Sequence, residues 1–351
     1  MTTVSIPTSA SDLDDAWISD VLGTPVRVTA SEGVGVGSAF ACRLFRLRLE
    51  GPEDTPDSVI VKLPVEGEVR AMLDAIGAYG REVLFYRDIA SQLPVRTPVV
   101  HAALQASDST DFVLVLEDLS DCEPVDQIAG FTLPQAERAV GALARMHAWS
   151  WGATQLLDGY ADRFWPIDSE AGRALQDQYG QLFTHVWSAR RDAFAALLGP
   201  VALDVGDRFA DLQPGLVAQL ASPRCITHGE LRADNLFVDA AGEPVLFDFQ
   251  AAQQECGVRE LQYLLGTSLP EDVLAAREDA LLARYTDGLH RAGIEYPLER
   301  AGEQYRAATT YNLMWPVMAC VRYDAASDRG RETLDTMVRR LGAAIERNGE
   351  R

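Results

Sequence analysis

The sequence predicts an α+β fold in two lobes, a small N-terminal lobe of strands with one helix and a larger, mainly helical C-terminal lobe. Strand-like patterns dominate the first 119 residues, whereas Ala- and Leu-rich helical periodicity dominates residues 120–351. A chain of 351 residues is also longer than one small core requires. We therefore expect the lobes to span residues 1–119 and 120–351.

The composition is that of an ordinary globular protein, with 47% hydrophobic and 24% charged residues. The chain has 31 Lys and Arg against 52 Asp and Glu, and its formal net charge is −21. A surface this negative repels phosphate backbones and anionic headgroups, which argues against nucleic acid and membrane as partners. Solubility is the simpler explanation for the acidity, and attraction of a cationic substrate is the alternative.

Cysteine usage and the start of the chain indicate a cytoplasmic protein. The five cysteines lie far apart without a C-x-x-C pair, so we expect buried free thiols. The first residues lack a basic segment followed by an apolar core, and no segment has about 18 uninterrupted apolar residues.

Three strand patterns and one helix pattern form the predicted N-terminal lobe. RLFRLRLE (43–50) alternates apolar and charged residues, as a strand with one solvated face does. SVIVKLP (58–64) and DFVLVLEDLS (111–120) are short apolar runs typical of central strands. Between them, AIGAYGREVLFYRDIASQL (75–93) places five residues on one helical face: Tyr79, Val83, Tyr86, Ala90 and Leu93.

Helices and one hairpin are predicted after residue 120. A helix begins in TLPQAERAVGALARMHAWSW (132–151), with Thr132 or Leu133 near its N-terminus and Pro134 in the first turn. NLFVD (235–239) and PVLFDF (244–249) are apolar runs joined by AAGE, which predicts a hairpin. Long segments at 271–293 and 298–323 are typical of helices packed on that core.

The segment HGELRADN (228–235) carries a carboxylate at Glu230 and an amide at Asn235, and Asp248 follows at the end of the predicted hairpin. Mg²⁺ prefers oxygen ligands and usually takes one or two carboxylates plus phosphate oxygens. Asn235 and Asp248 suit a metal site, and Glu230 is left to orient or deprotonate an attacking hydroxyl. Phosphoryl transfer from a nucleotide needs little else from this part of a protein.

This pattern, H-x-[DE]-x-x-x-x-N followed by D-F, resembles the catalytic and metal-binding segments of the aminoglycoside phosphotransferase and choline kinase superfamily. It looks closest to the ecdysteroid kinase-like branch. The resemblance implies a protein-kinase-like fold, ATP and Mg²⁺ as cofactors, and transfer of phosphate to a hydroxyl of a small molecule. It also implies a small nucleotide-binding lobe at 1–119, with an antiparallel sheet plus a helix, and a larger, mainly helical catalytic and substrate-binding lobe at 120–351.

The N-terminal segments extend the resemblance. VIVKL (59–63) resembles the strand with the phosphate-contacting Lys, here Lys62, and YGREVLFYRDI (79–89) the helix with its partner acid, here Glu82. A Lys in an apolar strand requires such a partner. SEGVGVGSAFACRLFRL (31–47) resembles the glycine-containing nucleotide loop, whose glycines let backbone N–H groups approach phosphate. The implied loop residues are Gly33, Gly35, Gly37 and Ser38.

LVLEDLS (114–120) resembles the segment linking the lobes, where main-chain groups from Glu117 to Leu119 would bind adenine.

His147 is a candidate core histidine, and His228 resembles the histidine that supports the loop backbone. Arg232 either contacts the transferred phosphate or pairs with a surface acid, and Asp234 next to Asn235 is expected to face solvent. Five tryptophans either line an acceptor pocket or fill a core: Trp149, Trp151, Trp165, Trp187 and Trp315.

Two positions depart from the family pattern. Glu230 stands where the family usually has Asp, and Glu260 in GVRELQYLL (257–265) stands where an Asp braces the catalytic loop. A misplacement of about 1 Å can cost on the order of 100-fold in rate. Either the loop has been re-spaced as a unit and stays active, or the protein is a nucleotide-binding pseudokinase with a regulatory or scaffold role. The retained Lys62, Glu82, Asn235 and Asp248 favour activity.

The acceptor is open to two interpretations. The ecdysteroid kinase-like resemblance indicates a lipophilic or sterol-like alcohol, whereas the acidity indicates an aminocyclitol or amino alcohol. A protein substrate is disfavoured because no activation segment is recognisable after Asp248.

Overall fold

The computed structural model describes residues 5–35, 42–152 and 155–349. The chain divides into two compact units, one made of Met1–Cys122 with Phe247–Ala251 and the other of Glu123–Leu246 with Ala252–Arg351. The first holds a five-stranded sheet and the second is mainly helical. The predicted α+β class is thereby confirmed, and the predicted boundary after residue 119 stays a prediction.

The first unit is built on an antiparallel sheet with strand order β1-β2-β3-β5-β4. Its strands are β1 (Arg27–Val34), β2 (Cys42–Glu50), β3 (Ser58–Pro64), β4 (Val100–Gln105) and β5 (Phe112–Glu117). The three strand patterns read from the sequence correspond to β2, β3 and β5. The helices of this unit are α1 (Asp15–Leu22), α2 (Glu68–Ala75) and α3 (Ala78–Leu84).

One face of this sheet forms a hydrophobic core. Val59, Val61 and Leu63 alternate along β3 and are fully buried, and Trp17 and Ile18 of α1 pack in the same cluster. Because side chains alternate across a strand, Lys62 leaves β3 on the other face. The core therefore fixes the direction in which Lys62 points.

The helix predicted across residues 75–93 is broken into three parts. The α-helical part α3 ends at Leu84, a π-helical turn spans Phe85–Ile89, and a 3-10 turn spans Ala90–Gln92 ahead of Pro94. Proline disfavours helical backbone in the residue before it, which explains the end of this helical segment. Single π turns inside helices are frequent at functional sites.

The second unit consists of ten helices and five short strands among its described residues. The helices are α4 (Leu133–Trp149), α5 (Gln155–Gly159), α6 (Glu170–Ala195), α7 (Pro200–Asp207), α8 (Phe209–Leu220), α9 (Gly257–Ser268), α10 (Glu271–Arg291), α11 (Leu298–Asn312), α12 (Met314–Ala319) and α13 (Asp328–Gly349). Helix α4 begins as predicted, because Thr132 and Gln135 form a capping box.

Two small sheets interrupt these helices. Strands β8 (Leu236–Val238) and β9 (Pro244–Leu246) form the predicted hairpin, and β6 (Glu123–Pro124) pairs with β8. Strands β7 (Cys225–Thr227) and β10 (Gln253–Glu255) pair antiparallel. Residues 228–235, which we call the HGE loop, connect β7 to β8 and are thus held at both ends. Within the described ranges no helix has the length and apolar character needed to cross a membrane.

Candidate active site

Lys62 lies between two carboxylates in the first unit. Its Nζ is 2.6 Å from Glu82 Oε1 and 2.7 Å from Asp248 Oδ1. The Lys62 residue is only 8% exposed and Glu82 is fully buried, whereas the Asp248 side chain is 25% exposed. The pairing of Lys62 with Glu82 expected from the sequence is present, and the direct contact with Asp248 is an addition to it.

Burial and charge act against each other in this cluster. Burial alone lowers the pKa of Lys62, but the negative charge of Asp248, with that of Glu82, outweighs it and raises the pKa well above its usual value. Burial raises the pKa of Glu82, and Asp248 adds to this while Lys62 opposes it. The ammonium therefore stays charged and is the positive end of the cluster.

Asp248 is held in an unusual backbone conformation. Its φ of 69° lies in the left-handed region, which costs roughly 1–2 kcal/mol for a residue other than Gly. Its N–H donates to the Tyr86 hydroxyl at 3.2 Å. The next residue, Phe249, stacks on Phe85 with ring centroids 3.6 Å apart, and Arg81 Nε donates to the Gln250 carbonyl. The segment 78–89 thus fixes both sides of Asp248.

The predicted phosphate loop is described only in part. Gly33 lies in β1 opposite Phe45, and Gly35 has a φ of 66°, a conformation that glycine adopts at little cost. Gly37 and Ser38 lie outside the described residues. The phosphate-binding role of this loop stays a prediction.

The segment predicted to bind adenine is tied through its Glu117 side chain to the residues just before β4. The Glu117 carboxylate accepts hydrogen bonds from Arg96 Nη2 at 2.8 Å and the Val99 N–H at 3.0 Å. Leu119 is buried and begins a 3-10 turn. The role of these two residues in binding adenine stays a prediction.

Asp118, between them, was not singled out from the sequence. Its carboxylate accepts two hydrogen bonds from the Arg46 guanidinium, at 2.6 and 3.2 Å, and one from Ser58 Oγ at 2.7 Å. Burial raises the pKa of Asp118, but Arg46 and Ser58 lower it by more, so the carboxylate stays ionised. Asp118 therefore fastens the end of β5 to the neighbouring strands.

The HGE loop of the second unit is held by Glu260 of α9. Glu260 Oε1 accepts from the Gly229 N–H at 2.7 Å, and Oε2 accepts from the His228 N–H at 3.1 Å. His147 Nε2 lies 2.9 Å from the same Oε2 and links it to α4. Burial raises the pKa of Glu260, but its hydrogen bond with His147 and the nearby positive charge lower the pKa by a larger amount, so the net shift is downward.

Glu230 follows directly on this anchored backbone, and its side chain is 33% exposed. Its carbonyl accepts from Asn235 Nδ2 at 2.9 Å, which closes the HGE loop across five residues. Arg232 lies 3.6 Å from Glu230 and donates to Asp234 at 2.6 Å. Asp234 also accepts from the Gln127 N–H, so it has a structural role as well as an exposed edge.

The remaining candidates have mixed environments. His147 and His228 are fully buried, which fits the core and loop-support roles expected for them. Trp187 is a core residue that stacks on Phe183. The other four candidate tryptophans, Trp149, Trp151, Trp165 and Trp315, are half-buried.

The structure brings together Lys62, Glu82 and Asp248 in one unit and Glu230, Asn235 and Glu260 in the other.

Comparisons with known proteins identify relatives of this arrangement. The model of the ecdysteroid kinase-like family matches residues 36–294. No curated protein sequence matches the chain.

Solved structures show the same fold at low sequence identity. A protein of Ralstonia eutropha, provisionally described as an aminoglycoside phosphotransferase, has a TM-score of 0.58 and 14% identity, covering 96% of this chain and 97% of its own. The choline kinase LicA of Streptococcus pneumoniae has a TM-score of 0.50 and 16% identity, covering 93% and 96%. An amicoumacin kinase in complex with AMP-PNP, Ca²⁺ and Ami has a TM-score of 0.51 and 16% identity, covering 92% and 88%. These similarities confirm the predicted two-lobed, protein-kinase-like fold.

Proposed function

This chain belongs to the ecdysteroid kinase-like family, and we propose that it is an ATP- and Mg²⁺-dependent phosphotransferase acting on a hydroxyl group of a small molecule in the cytoplasm. The observation that carries the proposal is the Lys62 ammonium between the carboxylates of Glu82 and Asp248. Burying a charged lysine is energetically unfavourable unless negatively charged partners or ligands compensate for its lost hydration. The nucleotide phosphates would be such a ligand, and Glu82 would keep the lysine in place.

The proposed acceptor chemistry uses the HGE loop. The acceptor hydroxyl oxygen forms a bond to the γ-phosphorus. At the same time the bond between that phosphorus and the oxygen bridging the β- and γ-phosphates breaks, and ADP leaves with that oxygen. The hydroxyl proton passes to the Glu230 carboxylate. Asn235 binds the Glu230 carbonyl, and Glu260 binds the N–H of the preceding residue, Gly229. A loose phosphoryl transition state depends mainly on positioning, which a longer Glu side chain can provide from an anchored backbone.

The donor atoms suit a hard divalent cation. Asn235 donates through Nδ2 to the Glu230 carbonyl, so Oδ1 is the atom of that amide that can bind a cation. Asp248 provides a partly exposed carboxylate. We assign Asn235 and Asp248 as the Mg²⁺ ligands; bound Mg²⁺ would neutralise charge on the β- and γ-phosphates. The amicoumacin kinase bound to AMP-PNP and Ca²⁺ supports a nucleotide with a divalent cation.

The nucleotide base is assigned to the main chain from Glu117 to Leu119, and the phosphates to Gly35, Gly37, Ser38 and Lys62. The choline kinase and the amicoumacin kinase support a small-molecule acceptor. The family supports a lipophilic alcohol and the net charge of −21 supports an amino alcohol, so both belong in the acceptor screen.

Asp248→Ala tests the proposal. Mg²⁺-dependent ATP consumption, with a panel of alcohols and amino alcohols as acceptors, should fall at least 100-fold while the circular dichroism spectrum is retained. Asp111→Ala is the matched control, because Asp111 is an ion-paired acid of the same unit, bound to Arg70. Turnover retained in Asp248→Ala would overturn the proposal. ATP binding by the wild type without any turnover would instead identify a pseudokinase, in which Glu230→Asp would either create turnover or change nothing.

A further inference from the structure

A fully buried ion pair lies behind the HGE loop. Arg259, in the first turn of α9, donates through Nε to Glu255 Oε1 at 2.8 Å and also through Nη2 to the same oxygen. Both side chains have no exposed surface. Glu255 Oε1 additionally accepts from Thr227 Oγ1 at 2.9 Å, and Thr227 is the last residue of β7. The pair therefore joins α9 to the strand that leads into the HGE loop.

Arg259 also reaches the loop itself. Its Nη2 donates to the Gly229 carbonyl at 2.9 Å. That carbonyl belongs to the planar peptide group that also contains the N–H of Glu230. Glu260, the next residue along α9, binds the N–H on the other side of Gly229. Two consecutive peptide groups are thus fixed from one helix, and the second of them is the one that aims Glu230.

The Arg259 backbone is itself held in place. Asn312 of α11 donates through Nδ2 to the Arg259 carbonyl at 2.9 Å and to Gln262 Oε1 at 2.6 Å. Gly229 has a φ of 88°, in the left-handed region that glycine adopts at little cost. Because glycine has no side chain, the peptide planes beside it can rotate more freely than those beside a larger residue. A glycine at this point needs outside contacts to select one orientation of the plane, and Arg259 and Glu260 provide them.

We propose that Arg259 is a positioning residue that sets the orientation of Glu230 through the Gly229 carbonyl, an inference that rests on the proposed function. Stability alone is a poor explanation for the pair, since replacing a buried ion pair by apolar residues is often neutral or stabilising. A guanidinium holds donors in a rigid fork and can bind Glu255 and a carbonyl in fixed directions. An ammonium at the same site would lack that geometry.

The test compares Arg259→Lys, the double variant Glu255→Met with Arg259→Met, and Gln213→Met as control. Gln213 is a buried polar residue of the same unit whose side-chain amide donates to Gln176 and forms no hydrogen bond with the HGE loop among the described residues. Three quantities are measured: the melting temperature, the affinity for Mg²⁺-ATP, and the rate of ATP consumption with the best acceptor or with water. Arg259→Lys should reduce the rate about 10- to 100-fold and leave ATP affinity within about twofold.

The double variant separates positioning from stability. It should recover a melting temperature close to the wild type while its rate stays low, and Gln213→Met should keep the wild-type rate. Arg259→Lys should also lose its effect on the rate in a Glu230→Gln background, because it acts through Glu230. A wild-type rate in Arg259→Lys or in the double variant would overturn this inference alone. Absence of turnover in the wild type would overturn the proposed function and this inference with it.

Discussion

The Glu260 carboxylate binds the backbone of Gly229, with 2.7 Å between Oε1 and the Gly229 nitrogen. The contact is fully buried, and the second carboxylate oxygen binds the His228 N–H and His147. One acid of α9 therefore holds the backbone directly before Glu230. Glu230 and Glu260, the two positions at which the family pattern read from the sequence would have Asp, are thus connected through the backbone of the HGE loop.

Glu260→Gln should destabilise the protein by about 2 kcal/mol, because the amide presents a donor to one of the backbone N–H groups and leaves it unsatisfied. The free energy of unfolding from urea titration at pH 7 measures this. Glu271→Gln is the control, since Glu271 is an exposed partner of Arg339, and its change should stay within about 0.5 kcal/mol. Equal effects of the two substitutions would contradict the proposed role of Glu260.

The stability difference between wild type and Glu260→Gln should depend on pH. The pKa of Glu260 is lowered from its usual value of 4.5 in the folded protein, so its carboxylate stabilises the fold fully above about 4.5. That contribution is lost as the pH falls through the lower folded value. Urea titrations from pH 7 down to pH 3.5 should show a constant difference above pH 5 that narrows below 4.5. A constant difference over the whole range would mean that the charge of Glu260 has no part in the effect.

Glu230→Asp and Glu260→Asp should each lower turnover, by about 10- to 100-fold, because each shortens one side of a matched pair by a methylene. The double variant should be more active than the product of the single effects, with a coupling energy above about 0.5 kcal/mol. A double-mutant cycle on the rate of ATP consumption measures this. Strict additivity would show that the two glutamates are independent.

Lys62→Met should weaken ATP binding at least tenfold, because a hydrogen bond to a charged group is worth roughly 1.5–3 kcal/mol. Calorimetric titration gives the affinity. Arg70→Met is a suitable control, since Arg70 forms ion pairs with Asp74 and Asp111 in the same unit. ATP affinity unchanged in Lys62→Met would remove the phosphate-binding role from this residue.

Arg46→Met should weaken ATP binding by about 3- to 10-fold, because Asp118 loses two hydrogen bonds. The segment Glu117–Leu119, to which we assign the nucleotide base, thereby loses part of its attachment to β2. Inorganic tripolyphosphate, which lacks the base, should bind the variant and the wild type equally. A parallel loss for both compounds would indicate that Arg46 acts on the phosphate site or on the fold as a whole.

Local patterns predicted much of this structure. The alternation of β2, the apolar run of β3 and the Thr132 cap of α4 depend on neighbouring residues only, so the sequence contains the information needed to recognise them. A partner for Lys62 was predictable because a buried lysine requires one, and the family resemblance identified Glu82 as that partner. Helices α6 and α8 were not predicted individually, although their buried residues recur at helical spacing.

Contacts between distant residues account for what the sequence did not reveal. The hydrogen bond of Asp118 with Arg46 joins residues 72 positions apart, and Arg259 reaches Gly229 across 30 positions. The left-handed conformation of Asp248 and its contact with Tyr86 depend on how residues 247–251 pack on the helical segment 78–89. No pattern in the surrounding residues predicts such contacts. They become visible only when the chain is folded.

Calorimetric titration of ATP into the wild-type protein, with and without Mg²⁺, is the decisive experiment for the proposed function because it requires no knowledge of the acceptor. We expect micromolar-range binding that depends on Mg²⁺ and that is lost in Asp248→Ala but kept in Asp111→Ala. Binding that is indifferent to Mg²⁺, or no binding at all, would contradict the assignment of Lys62, Asn235 and Asp248 as a nucleotide and metal site.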